Sequence, residues 1–79
     1  MFYVYILKSI NFSTQSYVGF SANLKQRVID HNAGKSVHTN KYKPWKVETY
    51  FAFSSEEKAR NFEKYLKSGS GAAFRKKRF

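Results

Sequence analysis

Hydrophobic residues run unbroken from Phe2 to Leu7, and the run is rich in β-branched and aromatic types. This pattern predicts a strand. Both alternating sets, Phe2/Val4/Ile6 and Tyr3/Tyr5/Leu7, are apolar or aromatic, so the strand is expected to be covered on both faces and central in its sheet. Ser9 to Ser16 is polar apart from Ile10 and Phe12 and predicts a turn. Tyr17-Val18-Gly19-Phe20 reads as a second strand, and the short connection makes the pair an antiparallel hairpin. Gly19 within it marks a bend or a close approach by another group.

Helical spacing follows. Ser21 is the expected cap of a helix from Ala22 to about Ala33, with Gly34 as its C′ stop. The apolar stripe of this helix is thin, Leu24 and Val28 at i and i+4. Arg27 and His31 share that spacing and border the stripe, so both are aimed towards the sheet. Lys35 to Lys46 forms a basic loop containing Pro44. Val47 to Phe53 alternates Val47/Thr49/Phe51/Phe53 against Glu48/Tyr50/Ala52, a third strand. Ser54 and Glu57 have capping-box spacing and open a second helix to about Lys67. Ala59, Phe62 and Leu66 form its buried face, and Glu63 borders it. Ser68-Gly69-Ser70-Gly71 ends that helix, and Ala72 to Phe79 forms a short basic one. The order β-β-α-β-α-(α) implies a single α+β domain spanning residues 1–79. Its three-stranded antiparallel sheet is flanked by helices.

The chain has 79 residues. At this length only about 60% of the unfolded chain's surface is buried on folding, so the core is thin. No cysteine is present, which excludes disulfide staples and Cys-based zinc sites. Eight Phe, six Tyr and one Trp must supply the stability. Charge changes the picture more. Fifteen Lys and Arg against five Asp and Glu give a net charge of +10. A compact domain this basic calls for an anionic partner, and nucleic acid comes first. A membrane surface is the poorer fit, because the basic residues are spread over several segments. The apolar run at the start is too short to span a bilayer and lacks the features of a signal peptide. A cytoplasmic location is therefore the default expectation.

Two helices each bring a polar residue set to the border of a buried face: Arg27 and His31 from the first, Glu63 from the second. The hairpin adds Tyr3, Tyr5 and Tyr17. Converged, these residues would suit phosphodiester hydrolysis. Arg matches phosphate oxygens with a bidentate fork. One carboxylate can hold Mg²⁺ while waters and the phosphate fill the other positions. A phenol, with a free pKa near 10, needs a neighbouring cation to act as a base. Each residue also has an ordinary reading. The tyrosines can be core aromatics, Arg27 and His31 can snorkel, and Glu63 can pair with Lys67 one turn on.

At these positions the sequence resembles the GIY-YIG nuclease family, in particular its short single-domain bacterial members, which are similar to the excinuclease nuclease domain. The first motif stands as Tyr3-Val4-Tyr5 and the second as Tyr17-Val18-Gly19. Arg27 and His31 lie in the helix motif, Glu63 takes the acidic position, and Pro44-Trp45 precedes the third strand. The resemblance implies a metal-dependent endonuclease acting on DNA, with DNA repair or recombination as the setting. It implies that Tyr17 positions or deprotonates the attacking water and that Tyr5 supports it. Arg27 would stabilise the phosphate, His31 would assist proton handling, and Glu63 would bind Mg²⁺ or Mn²⁺. Lys35, His38, Lys41 and Lys43 in the loop, and Arg75, Lys76, Lys77 and Arg78 in the tail, are the candidate nucleic-acid contacts.

Two positions depart from the family pattern. Tyr3 stands where the family name has Gly. The Asn that many members carry beyond the acidic position has no counterpart in Ser70-Gly71-Ala72-Ala73-Phe74-Arg75. The second departure keeps an alternative open, a nucleic-acid-binding module with little or no cleavage. A third reading is a protein-interaction domain. Larger relatives carry separate DNA-binding domains, so specificity here must come from this domain's own surface or from a protein partner.

Overall fold

The computed structural model describes residues 1–79. Strands β1 (Phe2–Ser9), β2 (Ser16–Ser21) and β3 (Trp45–Phe53) form one antiparallel sheet in the order β2-β1-β3. The unbroken apolar strand is the central one, as its two-sided pattern requires. Helix α1 (Leu24–Asn32) joins β2 to the loop before β3, and α2 (Glu56–Lys67) and α3 (Gly69–Arg78) follow β3. The expected α+β architecture and element order are both present.

The alternation in β1 builds two cores, one on each face. Val4, Ile6 and Val18 meet Ala59 and Leu66 of α2 on one face, with Phe2, Phe20, Phe51, Phe53, Phe62, Phe74 and Phe79 packed around them. Tyr5, Leu7 and Trp45 form the other core, under Leu24 and Val28 of α1 and beside Tyr17 and Tyr42. Every Phe except Phe12 therefore packs on the α2/α3 side, where Phe51 and Phe62 meet edge to face at 4.7 Å. Tyr and Trp dominate the α1 side. An aromatic with a polar handle belongs where hydrogen bonds are needed, so the α1 side is the face with buried hydrogen bonds to satisfy.

Local signals are displaced by a residue or two. Ser21 closes β2 instead of capping α1. The N-cap is Asn23, which accepts from the Gln26 N–H, while the Ser21 hydroxyl accepts from the Asn23 N–H. Likewise Ser55, not Ser54, caps α2 by accepting from Lys58, so the Ser54/Glu57 capping box does not form. Gly34 behaves as expected, with φ +78. Its N–H donates to the His31 carbonyl and the next N–H, of Lys35, to that of Asp30. This pairing ends a helix with a left-handed residue that favours glycine.

The Ser68–Gly71 stretch is not a loop. Ser68 ends α2 and caps α3 by accepting from the Gly71 N–H. Gly71 is there for space, since a Cβ on it would fall 1.8 Å from the Tyr65 carbonyl oxygen. Gly71 therefore serves a tight helix–helix corner, and the stretch ends α2 as expected while opening α3 earlier than Ala72. Opposite β3, a register shift between Ile6 and Leu7 leaves Glu48 unpaired in the ladder. Its carboxylate lies 3.7 Å from the Lys8 ammonium.

Candidate active site

Strand β2 is an edge strand, and the candidate site residues gather along it from both faces. Tyr5 projects from β1 across its ladder partner Gly19. The absent side chain is what admits the ring, because a Cβ at Gly19 would lie 2.3 Å from both Cζ and the hydroxyl of Tyr5. This is the close approach that Gly19 was expected to mark.

Beyond Gly19 the Tyr5 hydroxyl lies 3.0 Å from Nε2 of His31, on α1. The other imidazole nitrogen, Nδ1, is 2.7 Å from the Thr39 hydroxyl. Tyr5, His31 and Thr39 are all fully buried. The Thr39 carbonyl accepts from the Trp45 indole N–H at 2.8 Å. A continuous buried chain of hydrogen bonds thus runs from the sheet to the loop ahead of β3. Tyr17, half-buried on β2, packs its ring 5.1 Å from that of His31.

Helix α1 is held over this face by a side chain that mimics a strand. The Asn32 amide accepts from the Trp45 N–H and donates to the Trp45 carbonyl at 3.1 Å. This fixes the C-terminal turn that carries His31.

Electrostatics separate the two buried groups from ordinary titration. Burial lowers the His31 pKa below 6.5, the nearby Arg27 charge adds to the effect, and Asp30 opposes it. Burial raises the Tyr5 phenol above 10, against the pull of the Arg27 guanidinium and with the help of Tyr17 and Glu63. At neutral pH the pair is therefore a neutral imidazole and a neutral phenol. A cationic neighbour alone does not make Tyr5 a base, because desolvation outweighs it.

The charges of Arg27 on α1 and Glu63 on α2 both bear on the Tyr5 phenol, in opposite directions. Glu63 is mostly covered, and its Oε2 accepts from the Lys67 ammonium at 3.0 Å. The same ammonium sits 5.7 Å above the Tyr17 ring. The ordinary reading of Glu63 as an i,i+4 partner thus holds together with its place beside the tyrosines. No cluster of three or more His, Cys, Asp or Glu side chains stands ready for a metal. One carboxylate suits Mg²⁺, which keeps most of its waters and takes substrate oxygens, and does not suit a protein-caged Zn²⁺ or Ca²⁺.

Tyr3 stands apart from this cluster. Its ring packs edge to face with Tyr50 at 5.9 Å. Lys35, His38, Lys41 and Lys43 lie on the loop that delivers Thr39. Lys35 lies 3.7 Å from Asp30 and Lys41 over the Tyr42 ring. Arg75, Lys76, Lys77 and Arg78 belong to α3, on the other side of the sheet. Thr39 and Lys67 are site residues that sequence reasoning does not nominate. Thr39 is eight residues from His31 through an irregular loop, which no periodicity connects. Lys67 is visible in sequence only as a salt-bridge partner.

A family model described as the GIY-YIG catalytic domain matches residues 1–78. UPF0213 proteins of Streptococcus pyogenes serotype M3 (strain SSI-1) and of serotype M1 are each 33% identical over 66 residues. These matches cover 82% of this chain and 70% of the relative.

Proposed function

The chain belongs to the GIY-YIG family, a nuclease family, and we propose that it hydrolyses DNA phosphodiester bonds with a divalent metal, Mg²⁺ or Mn²⁺, held at Glu63. The observation that supports this reading is the packing of Tyr5, Tyr17 and His31 at one edge strand, with the Arg27 and Glu63 charges near enough to act on the Tyr5 phenol. Branched or damaged DNA, as met in repair and recombination, is the substrate class to which the proposal extends.

Each group has a task its surroundings allow. Arg27 clamps the scissile phosphate and offsets the charge that grows there. Tyr17, at the partly open edge, orients the attacking water and, in its phenolate form, takes the proton that the water loses. When bound, the metal polarises the phosphate and stabilises the leaving oxygen. Glu63 is released from the Lys67 ammonium to hold it.

The buried chain sets the direction of the Tyr5 hydroxyl. A neutral His31 carries one proton on its ring. With Nδ1 accepting from the Thr39 hydroxyl, that proton sits on Nε2 and is donated to the Tyr5 oxygen. The Tyr5 O–H is then not spent on His31, and it meets a phosphate oxygen only if substrate binding uncovers the hydroxyl, which is fully buried in this structure. With the proton on Nδ1, Tyr5 must donate inwards to Nε2 and its support of the phosphate is lost. The first arrangement is the one this mechanism uses.

A second reading, a binding module with little or no cleavage, is favoured by one contact: Lys67 engages Glu63 and covers Tyr17 at once. One experiment decides between the two. Plasmid and branched DNA are incubated with the protein in Mg²⁺ or Mn²⁺, then with EDTA, alongside Glu63→Gln. The nuclease reading expects metal-dependent product and a loss on the order of 10²-fold or more in Glu63→Gln, the scale of removing one preorganised electrostatic group. Absence of product from the wild type, together with salt-sensitive binding, would establish the binding module. Equal cleavage by Glu63→Gln refutes the role given to Glu63.

A further inference from the structure

The larger of the molecule's two cavities, about 520 Å³, lies away from the Tyr5–His31 pair, between the β1–β2 turn and α3. Its lining side chains are one-sided in charge, while the Phe79 main-chain oxygen, held by Lys8, is an acceptor at its rim. Lys8, Arg75 and Lys76 supply three cations, and Ser13, Thr14 and Ser16 supply three hydroxyls, with no carboxylate among the lining side chains.

Two of the cations are held in place before any ligand arrives. The Arg75 guanidinium donates through Nε to the Leu66 carbonyl at 2.9 Å and reaches the Ser16 hydroxyl at 3.4 Å. Lys8 rises from the central strand and donates to the Phe79 carbonyl, with Glu48 at 3.7 Å outside the cavity lining. Lys76 is exposed on α3 and free to close over a ligand. A fixed guanidinium, ammonium groups and hydroxyl donors around a hollow make a receptor for the tetrahedral oxygens of a phosphate.

The hollow is tied to the candidate active site through two adjacent residues. Ser16 contacts Arg75, while Tyr17, next in β2, packs on His31. Consecutive strand residues point to opposite faces, so the two sites straddle one edge strand. The last turn of α2 joins them again: Leu66 receives Arg75 and Lys67 covers Tyr17.

We propose that this cavity is a second phosphate-binding site, which holds a phosphate of the nucleic-acid strand flanking the one at the Tyr17 edge. The inference rests on nucleic acid as the ligand and not on cleavage, so its test runs in EDTA without metal. Amide spectra of the ¹⁵N-labelled protein are followed during titration with inorganic phosphate. The titration is repeated with short single-stranded oligonucleotides that carry a 5′-phosphate, a 3′-phosphate or neither. Shifts at Ser13, Thr14 and Ser16 are expected with inorganic phosphate. If only a terminally phosphorylated strand reproduces them, the site takes a phosphomonoester end. If all the strands do, it takes a backbone phosphodiester.

Binding of the same strands is compared in Lys76→Gln and Lys58→Gln, which remove the same charge, one from the cavity lining on α3 and one from an exposed position on α2. Lys76→Gln is expected to weaken binding roughly five- to tenfold and to lower the salt slope by about one. Lys58→Gln, on an exposed lysine that does not line the cavity, is expected to change binding less than about twofold. Arg75→Gln should behave as Lys76→Gln, but it also loses the bond to Leu66, so Lys76 is the deciding variant. Equal weakening by Lys76→Gln and Lys58→Gln, or hairpin amides unmoved by phosphate, overturns the proposal in favour of diffuse attraction by the +10 surface. Failure of cleavage with these shifts intact would reject the nuclease reading alone.

Discussion

Gly19→Ala tests the packing on which the whole site depends. The added Cβ would stand 2.3 Å from Cζ and from the hydroxyl of Tyr5, against an ordinary contact of 3.4 Å or more. Relief requires a movement of about 1 Å, and the strand cannot supply it cheaply, since Gly19 is laddered opposite Tyr5 itself. The ring has little freedom either, being fully buried and tied to His31 at 3.0 Å. Moving it by that distance breaks this bond. Overpacking of this kind costs about 1–3 kcal/mol, and a misplacement of about 1 Å costs on the order of 10²-fold in rate. The expected variant is folded, less stable by that amount in urea melts, and nearly inactive in the metal-dependent DNA cleavage assay. The His31 ring resonances should shift, because their partner has moved. A variant within about 0.5 kcal/mol of wild type, with unshifted His31 resonances, would refute the close-approach argument and the role assigned to Gly19.

Other outcomes follow from the same contacts. The folded-state pKa of His31 lies below 6.5, so the unfolded chain takes up a proton first as pH falls. Stability contributed by neutral His31 is complete above about pH 6.5 and is lost on acidification through the folded value. Urea melts of wild type and His31→Gln between about pH 5 and 8 should therefore diverge in slope, and parallel curves would count against the buried neutral imidazole. Tyr5, raised above 10, gives the mirror image: its contribution is lost as pH rises through the folded phenol pKa. Tyr5→Phe should flatten that alkaline limb. Asn32→Ala leaves the Trp45 N–H without its side-chain acceptor and should cost about 1–3 kcal/mol. A loss under about 0.5 kcal/mol would mean that the amide clamp is dispensable.

Much of the fold is legible in the sequence because its signals are local. Two apolar alternations in one strand, Val4/Ile6 and Tyr5/Leu7, require two covered faces, and that alone makes β1 central. Gly34 closes α1 because few other residues adopt φ +78 without strain. The caps differ from expectation because several serines sit side by side and only the path of the chain selects among them. Ser68 to Gly71 ends α2 as expected, but the start of α3 at Gly69 is hidden because glycine signals backbone freedom and close approach alike. Only the Tyr65 carbonyl, a turn earlier in α2, decides for the second.

The site divides in the same way. The aromatic motifs, the i,i+4 pair Arg27/His31 and the border position of Glu63 are properties of single elements, and periodicity is enough to nominate them. Sequence also determined the basic charge that points to a phosphate-bearing partner, since net charge does not depend on the fold. Their meeting is different. It needs Gly19 to let Tyr5 cross β2, Asn32 to hold α1 on β3, and Thr39 to arrive from an irregular loop. It also needs burial, which keeps Tyr5 and His31 neutral against the Arg27 charge on the phenol. None of these is a local quantity. Each is a distance or a dielectric environment shared by residues far apart in the chain, and such quantities exist only once the chain has folded.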